Sequence, residues 1–526
     1  MRAAGHGVWV LFSFFRLLTD TAASSPCSPR SFGTGAMVCV CNATYCDTTD
    51  PINPPPVGSY LKYVSSKSGL RLERSEGTFR PERSSAGPLY TYNSYIRYQA
   101  IKGFGGSLTD AAAINILRLS PEAQERLLQS YFSEEGIEYN LLRTPMACSD
   151  FSTRPYSYDD DCPDDFELKC FSLAEEDTKF KIPLLQRIKA LSRRPLSLVA
   201  SPWTSPGWLR TNNNVMGRAP LKGKAGDQHH KTWAQYFIRF LAEYRRYNIT
   251  FWAITAQNEP IFSQHIMYKN FPGNSFSAEE QRDFIVADLG PALKRSPFKD
   301  VLLVILDDQR CLLRNWAQVV LGNSSAAQYV AGFGIHWYMD MVVPPCLTLR
   351  DTHDRYPGYF LLYTEACNGF LPWKLKAVDL GSWDRGSYYS KNILTTLNNY
   401  VTGWIDWNLA LDMEGGPNWV KNHVDSPIIV DPLRDEFYKQ PMFYHLAHFS
   451  KFIPEGSVRV ALTNDSPIST CSLSSVAFLR PDGVAVVVVL NNFIWDVSIG
   501  IEDDSAGYIE DTIPPYSIQT YLWRRP

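Results

Sequence analysis

Apolar and polar positions divide the chain into three rhythms. From 60 to about 99, segments such as LKYVSS and LYTYNSY alternate polar with apolar or aromatic residues, the period of half-buried antiparallel strands. From 101 to 407, apolar runs of strand length alternate with stretches whose apolar residues recur at helical spacing. Strands are predicted at 101–106, 139–145, 196–201, 249–260, 301–306, 330–336, 360–365 and 403–407. Helices are predicted over 111–117, 183–191, 231–247 and 387–401, with others opening at Ser120-Pro121 and at a Ser277/Glu280 capping box. After Trp407 the pattern turns β-like again. Arg480-Pro481-Asp482-Gly483 marks a turn, the VAVVVVL run at 484–490 reads as a strand buried on both faces, and a last strand spans 517–523.

Strand–helix alternation implies parallel strands with helical crossovers. The pattern is α/β, and eight such units over about three hundred residues fit a (β/α)8 TIM barrel. A doubly wound open sheet is the other arrangement, but GFGG at 103–106 is not the GxGxxG of a dinucleotide site. Strands on both sides of the barrel predict a β-sandwich built from both termini. The proline-rich PINPPP at 51–56 marks a boundary.

The N-terminus points to a compartment. Met1-Arg2 precedes a mostly apolar run at 8–18, broken by Arg16, then small residues around Ala23. This reads as a secretory signal peptide over 1–23, too short to span a bilayer as an anchor would. Four of the 11 cysteines crowd at Cys27, Cys39, Cys41 and Cys46, which reads as two disulfides in an oxidising compartment. The C-x-C spacing does not fit paired zinc knuckles. Cys162 and Cys170 are candidates for a bridge within a loop, but the sequence leaves open the pairing of Cys148, Cys162, Cys170, Cys311, Cys346, Cys367 and Cys471, and the odd total requires at least one thiol outside an internal bridge. N-glycosylation sequons stand at Asn42, Asn248, Asn323 and Asn464. A net charge of −3 gives no pull toward nucleic acid.

Two predicted strands end in carboxylates, at Asn258-Glu259-Pro260 and at Glu365. Strand C-termini are where a barrel builds its active site, and two carboxyls across one mouth are what glycoside hydrolysis needs. Each glutamate alone is ordinary; the pairing on the fourth and seventh strands carries the reading. Trp203, Trp337, Tyr338 and Trp407 offer faces for a sugar ring, and Asp150, Asn258 and Asn422 can read hydroxyls. A carboxyl beside an ionised carboxylate holds its proton, so one of the pair is expected to act as the acid. His445 and His448 read as a packed helical pair and 159–165 as a solvated acidic loop, since neither has metal-site spacing.

The motifs KGFGGSLTDAAA, SPWTSPGW, LDDQR, HWYMD, TEAC, WIDWN, EGGPNWVKN and FYKQPMFYHLAHF, in that order, resemble the acid β-glucosidases of glycoside hydrolase family 30. The resemblance runs from Cys27 to the C-terminus. It implies a small antiparallel sheet stapled by Cys27–Cys39 and Cys41–Cys46 (24–52 with 408–440). It also implies an immunoglobulin-like sandwich (53–98 with 457–526) and a catalytic barrel (99–407 with 441–456). It makes Glu365 the nucleophile and Glu259 the acid/base of a retaining enzyme. Asp150, Trp203, Asn258, Trp407 and Asn422 would hold glucose, and Arg143, His336 and Tyr338 would support the carboxylates. Such enzymes need no metal or cofactor. They cleave glucosylceramide at membranes in the lysosome lumen, aided by anionic phospholipid and a saposin-type activator, reach it with a lysosomal transport receptor, and transfer glucose to sterols. The chain departs from the family pattern at Gln257, where glutamate is usual, in the segment 261–276, and in an exchanged Cys148-Ser149. Cys162, Cys170 and Cys311 look added. Two other readings use the same residues: a relative acting on xylan or β-glucan, and a catalytically weak or inactive paralogue that binds lipid or glycan.

Overall fold

A computed structural model describes residues 24–84, 87–261, 270–371, 376–465 and 472–525. The predicted signal peptide, Cys471 and residues 262–269 lie outside the described residues.

The predicted alternation closes into a barrel of eight parallel strands. These are β1 (Gly103–Ser107), β2 (Leu141–Met146), β3 (Ser197–Pro202), β4 (Ala253–Thr255), β5 (Leu302–Gln309), β6 (Val330–His336), β7 (Phe360–Glu365) and β8 (Val401–Asn408). Leu141, Val199, Ala253, Val304, Leu362 and Ile405 form a layer inside it. The seam between β8 and β1 closes on a glycine pair: a Cβ on Gly403 would stand 2.4 Å from the Gly103 carbonyl oxygen. Helices outside the barrel bury the faces their spacing predicts, as in Gln228–Arg246, where Trp233, Phe237, Phe240, Leu241 and Tyr244 are all buried.

The fourth strand differs from expectation. The sequence reads as strand over 249–260, but the ladder holds only Ala253–Thr255. Beyond it, single bonds guide the chain: the Asn258 N–H donates to the Pro202 carbonyl and the Glu259 N–H to the Asp307 carbonyl. Glu259 turns there with φ +42°, a left-handed conformation that side chains other than glycine rarely adopt. The run is largely buried, but its regular pairing stops before the chain lifts the acidic side chain into the mouth.

At the N-terminus, Pro29–Ser31 and Met37–Asn42 join Glu436–Lys439, Ile428–Asp431 and Leu411–Asp412 in a five-stranded sheet. Its last pair, Leu411–Asp412 with Ile428–Asp431, is parallel, so the sheet is mixed rather than antiparallel throughout. Disulfides Cys27–Cys39 and Cys41–Cys46 staple it, and Cys162–Cys170 forms the third bridge. The other β layer is one nine-stranded hydrogen-bonded order that folds over on itself. In Val484–Asn491, odd positions pack into the sandwich core with Trp523 and Ile501. Even positions pack toward the barrel with Leu397 and Phe449. That accounts for a run apolar on both faces.

Two local readings are corrected. Ser120 precedes the helix Pro121–Phe132, but its hydroxyl goes to Asp435 instead of capping the helix. The acidic loop is not wholly solvated: Asp159 is buried, and burial together with Asp165 pushes its carboxyl up to about 7.

Candidate active site

The residues singled out at strand ends meet at one mouth. Glu365 closes β7, and its Oε2 accepts from Arg143 Nη1 at 2.6 Å. Tyr338 Oη donates to Glu365 Oε1 at 2.8 Å. Glu259 Oε1 accepts from Gln309 Nε2 at 3.1 Å and lies 2.9 Å from His336 Nδ1. One oxygen of each carboxylate and a His336 nitrogen all lie within 4.8 Å of one another. The side chain of Glu365 is 8% exposed and that of Glu259 18%, so the pair opens to solvent through Glu259.

Behind the pair stands a residue that sequence reasoning did not assign, Asp307. It is fully buried at φ +52° on β5. Its oxygens accept from Arg143 Nη2 (2.9 Å), Thr255 Oγ1 (2.7 Å) and Thr364 Oγ1 (2.6 Å), and Oδ1 lies 3.1 Å from His336 Nε2. Burial resists its charge, but Arg143 and His336 outweigh that and hold the carboxyl far below the usual range. Its signal was present in LDDQR at the C-terminal tip of a barrel strand. Gln309, two residues after the first of those aspartates in the same motif, was missed with it.

The electrostatics follow from these contacts. Burial works against a charged His336, yet the field of Glu365 and hydrogen bonds to Asp307 and Glu259 raise it to about 10. His336 is therefore an imidazolium placed to donate from both nitrogens. Burial pushes the Glu365 carboxyl upward, with Glu259 adding to the push and His336 and Arg143 opposing it.

The predicted sugar-holding residues line the same mouth. Asn258 Oδ1 accepts from Arg143 Nη2 at 2.7 Å. Asn422 Nδ2 donates to Asp150 Oδ2 at 3.0 Å. Burial pushes Asp150 up to about 7 against that hydrogen bond. Its loop is tied down by Ser152 Oγ to Asp110, which is paired in turn with the buried Lys181. Trp203 and Trp407 stack on each other at 5.2 Å and 16°, with the Arg143 guanidinium 4.9 Å from the Trp203 ring. Both rings are buried and stacked on each other, so they do not offer two open faces. Trp337 packs away from the pair, against Tyr388, Tyr389 and Trp404.

The other predicted sites lie elsewhere. Asn248 and Asn464 are exposed and Asn42 and Asn323 half-buried. His448 bonds Thr520 and Ser65, and His445 bonds Ser390, inside the protein. Among the described residues no helix is long and apolar enough to cross a membrane.

Comparison with known proteins gives the same picture. The family model described as glycosyl hydrolase family 30 TIM-barrel domain matches residues 101–453, and the family 30 beta sandwich domain matches 456–521. The chain is 54% identical to the lysosomal acid glucosylceramidase of Mus musculus, over 98% of both chains. It is 40% identical to putative glucosylceramidase 4 of Caenorhabditis elegans, again over 98% of both. Among solved structures, SrfJ from Salmonella typhimurium superposes with a TM-score of 0.81 at 27% identity, covering 89% of this chain and 100% of that one.

Proposed function

The chain belongs to glycoside hydrolase family 30, and from that premise we propose that it is a retaining β-glucosidase that hydrolyses glucosylceramide to glucose and ceramide. The observation that carries the mechanism is the spacing of the two carboxylates, whose nearest oxygens lie within 4.8 Å. Retaining enzymes hold the pair about 5–5.5 Å apart, whereas inverting ones leave about 6.5–9.5 Å for a water.

The contacts divide the roles. Glu365 receives a guanidinium and a phenol, which orient its oxygens and favour the anion, as a nucleophile requires. Glu259 is the more exposed and can exchange its proton with solvent. In the first step Glu365 attacks the anomeric carbon while Glu259 gives its proton to the departing glycosidic oxygen, releasing ceramide and leaving a glucosyl ester on Glu365. In the second, Glu259 takes a proton from water as its oxygen attacks the same carbon. The ester breaks, glucose leaves with its configuration retained, and both groups return to their starting states. A sterol hydroxyl in place of water would receive the glucose by the same step. Arg143 and the cationic His336, held by Asp307, keep both side chains aimed without moving during the reaction.

The mouse relative's name supports glucosylceramide as substrate and the lysosome lumen as the place. A signal peptide over 1–23, glycans on the four sequons, an activator protein and anionic lipid belong to the same proposal. The test is trapping with a 2-fluoro-glucoside followed by peptide mapping. Label on Glu365 is expected; label on another residue overturns the assignment. A substrate panel of glucosylceramide, β-glucan and xylan separates this reading from the other family activities.

A further inference from the structure

Gln257 lies between the tips of β3 and β4 and bonds only backbone oxygens. It is fully buried. Its Nε2, with two hydrogens to give, lies within hydrogen-bond distance of three backbone oxygens: Trp203 at 2.7 Å, Pro202 at 3.1 Å and Asn258 at 3.1 Å. The β3–β4 ladder pairs only Ala253 with Val199 and Ile254 with Ala200. Beyond it the two strand tips are joined by single bonds, Thr255 Oγ1 to Ser201 Oγ at 2.8 Å and the Asn258 N–H to the Pro202 carbonyl at 2.9 Å, and the side-chain amide adds to them. The same Trp203 oxygen accepts the Asn274 N–H at 2.9 Å, which draws the segment after Pro260 to the same point.

Every acceptor around Nε2 is a carbonyl oxygen, and Gln257 Oε1 is buried without a partner. The place therefore calls for a donor. An ionised carboxyl would set negative charge against three oxygens with no donor to offset it, and a protonated one could give a single hydrogen. An amide gives two at any pH. The titratable groups on the surrounding elements are Arg143 on β2, Arg210 after β3, Asp307 and Asp308 on β5, and Glu259 itself. Arg143 bonds Ser201, Asn258, Asp307 and Glu365; Arg210 bonds the carbonyls of 214–217 and 273. Asp308 accepts from the Ile261 and Gln309 N–H groups. None supplies a hydrogen bond to the Gln257 Oε1.

What the amide joins is the working edge of the site. On one side is Trp203, stacked on Trp407; on the other are Asn258, bonded to Arg143, and Glu259, turned at φ +42°. We propose that Gln257 is a positioning residue that locks the acid/base tip of β4 to the Trp203 turn, and that its amide frees this geometry from dependence on pH. The inference rests on the reading of Glu259 and Glu365 as the catalytic pair.

The test compares pH profiles of kcat and KM for the full-length enzyme, Q257E and Q257M on a fluorogenic β-glucoside, with 2-fluoro-glucoside mapping of the wild type alongside. The carboxyl introduced by Q257E can donate only while protonated. Its kcat relative to wild type is therefore expected to stand highest near pH 4 and to fall at least about tenfold as pH rises to 7, the loss of a buried charge-opposed contact. Q257M keeps the shape without a donor and should lower kcat about tenfold at every pH, with KM little changed. A constant Q257E-to-wild-type ratio across that range overturns the inference, as does a Q257M enzyme with wild-type kcat. Where Q257E does not fold, the kcat of Q257M decides. Label away from Glu365 in the wild type overturns the catalytic reading instead, and so separates the two failures.

Discussion

Asp307 Oδ1 and His336 Nε2 lie 3.1 Å apart with no exposure to water on either side chain. The pair turns one buried carboxylate into the anchor of two cations, because the other oxygen of Asp307 holds Arg143. Those cations reach Glu259 and Glu365, beside Gln309 and Tyr338. D307N keeps the shape and removes the charge. It leaves Arg143 and His336 short of a counter-charge, so His336 should lose its proton near neutral pH. A fall of about 100-fold in kcat with a small change in KM is expected, together with about 3–5 kcal/mol of lost stability. Steady-state kinetics, denaturant unfolding and imidazole NMR read the three effects. Wild-type kcat in D307N would refute this role.

The acid limb of the pH–rate profile should belong to Glu365. A nucleophile must be ionised, and burial with the nearby Glu259 raises this carboxyl above its ordinary value despite His336 and Arg143. Activity is therefore present above the raised value and lost as pH falls through it. The measured limb of kcat/KM is expected above the usual glutamate range of about 4.3. A limb at or below that range would contradict the raised carboxyl.

How far the sequence reached can be argued from particular residues. Hydrophobic periodicity found all eight barrel strands, with bounds matching at Val330–His336 and Phe360–Glu365, because both are apolar runs ended by polar tips. It overran β4, since burial makes 249–256 apolar whether or not the backbone pairs. It reached both glutamates, because strand-end carboxylates carry a local signal. It did not reach Asp307, whose importance lies in converging bonds from Thr255, Arg143, His336 and Thr364 on four other strands. Nor did it show that Trp203 and Trp407 stack on each other, because ring orientation is set by packing rather than by residue type. The parallel edge of the small sheet likewise depends on a return of the chain that alternation cannot reveal.

Y338F removes the phenol that donates to Glu365 Oε1 at 2.8 Å. Burial pushes this phenol well above its usual range, so it stays a donor throughout the working pH. Its bond lowers the Glu365 carboxyl. Without it, the acid limb should move to higher pH, and kcat should fall about tenfold, the worth of one hydrogen bond to a charged group. The direction of the limb separates this from general damage: a limb unmoved or shifted to lower pH counts against the role.

Acid should weaken the joint between barrel and sandwich through His448. This residue sits on the helix Pro441–Ser450, with Nδ1 2.8 Å from Thr520 Oγ1 and Nε2 2.9 Å from Ser65 Oγ, both hydroxyls of the nine-stranded sheet. Burial lowers it to about 3. An unfolded histidine titrates near 6.5, so between these values only the unfolded chain takes up the proton. The stability contribution is complete above 6.5 and is lost progressively as pH falls toward 3. At pH 5 the loss is about 2 kcal/mol. H448Q can bond one of the hydroxyls and carries no titrating group. Its unfolding free energy should therefore change less than that of the wild type between pH 7 and 5, by about the same 2 kcal/mol. Denaturant titrations at the two pH values measure the difference, and equal pH dependence in both proteins would show that His448 does not set it.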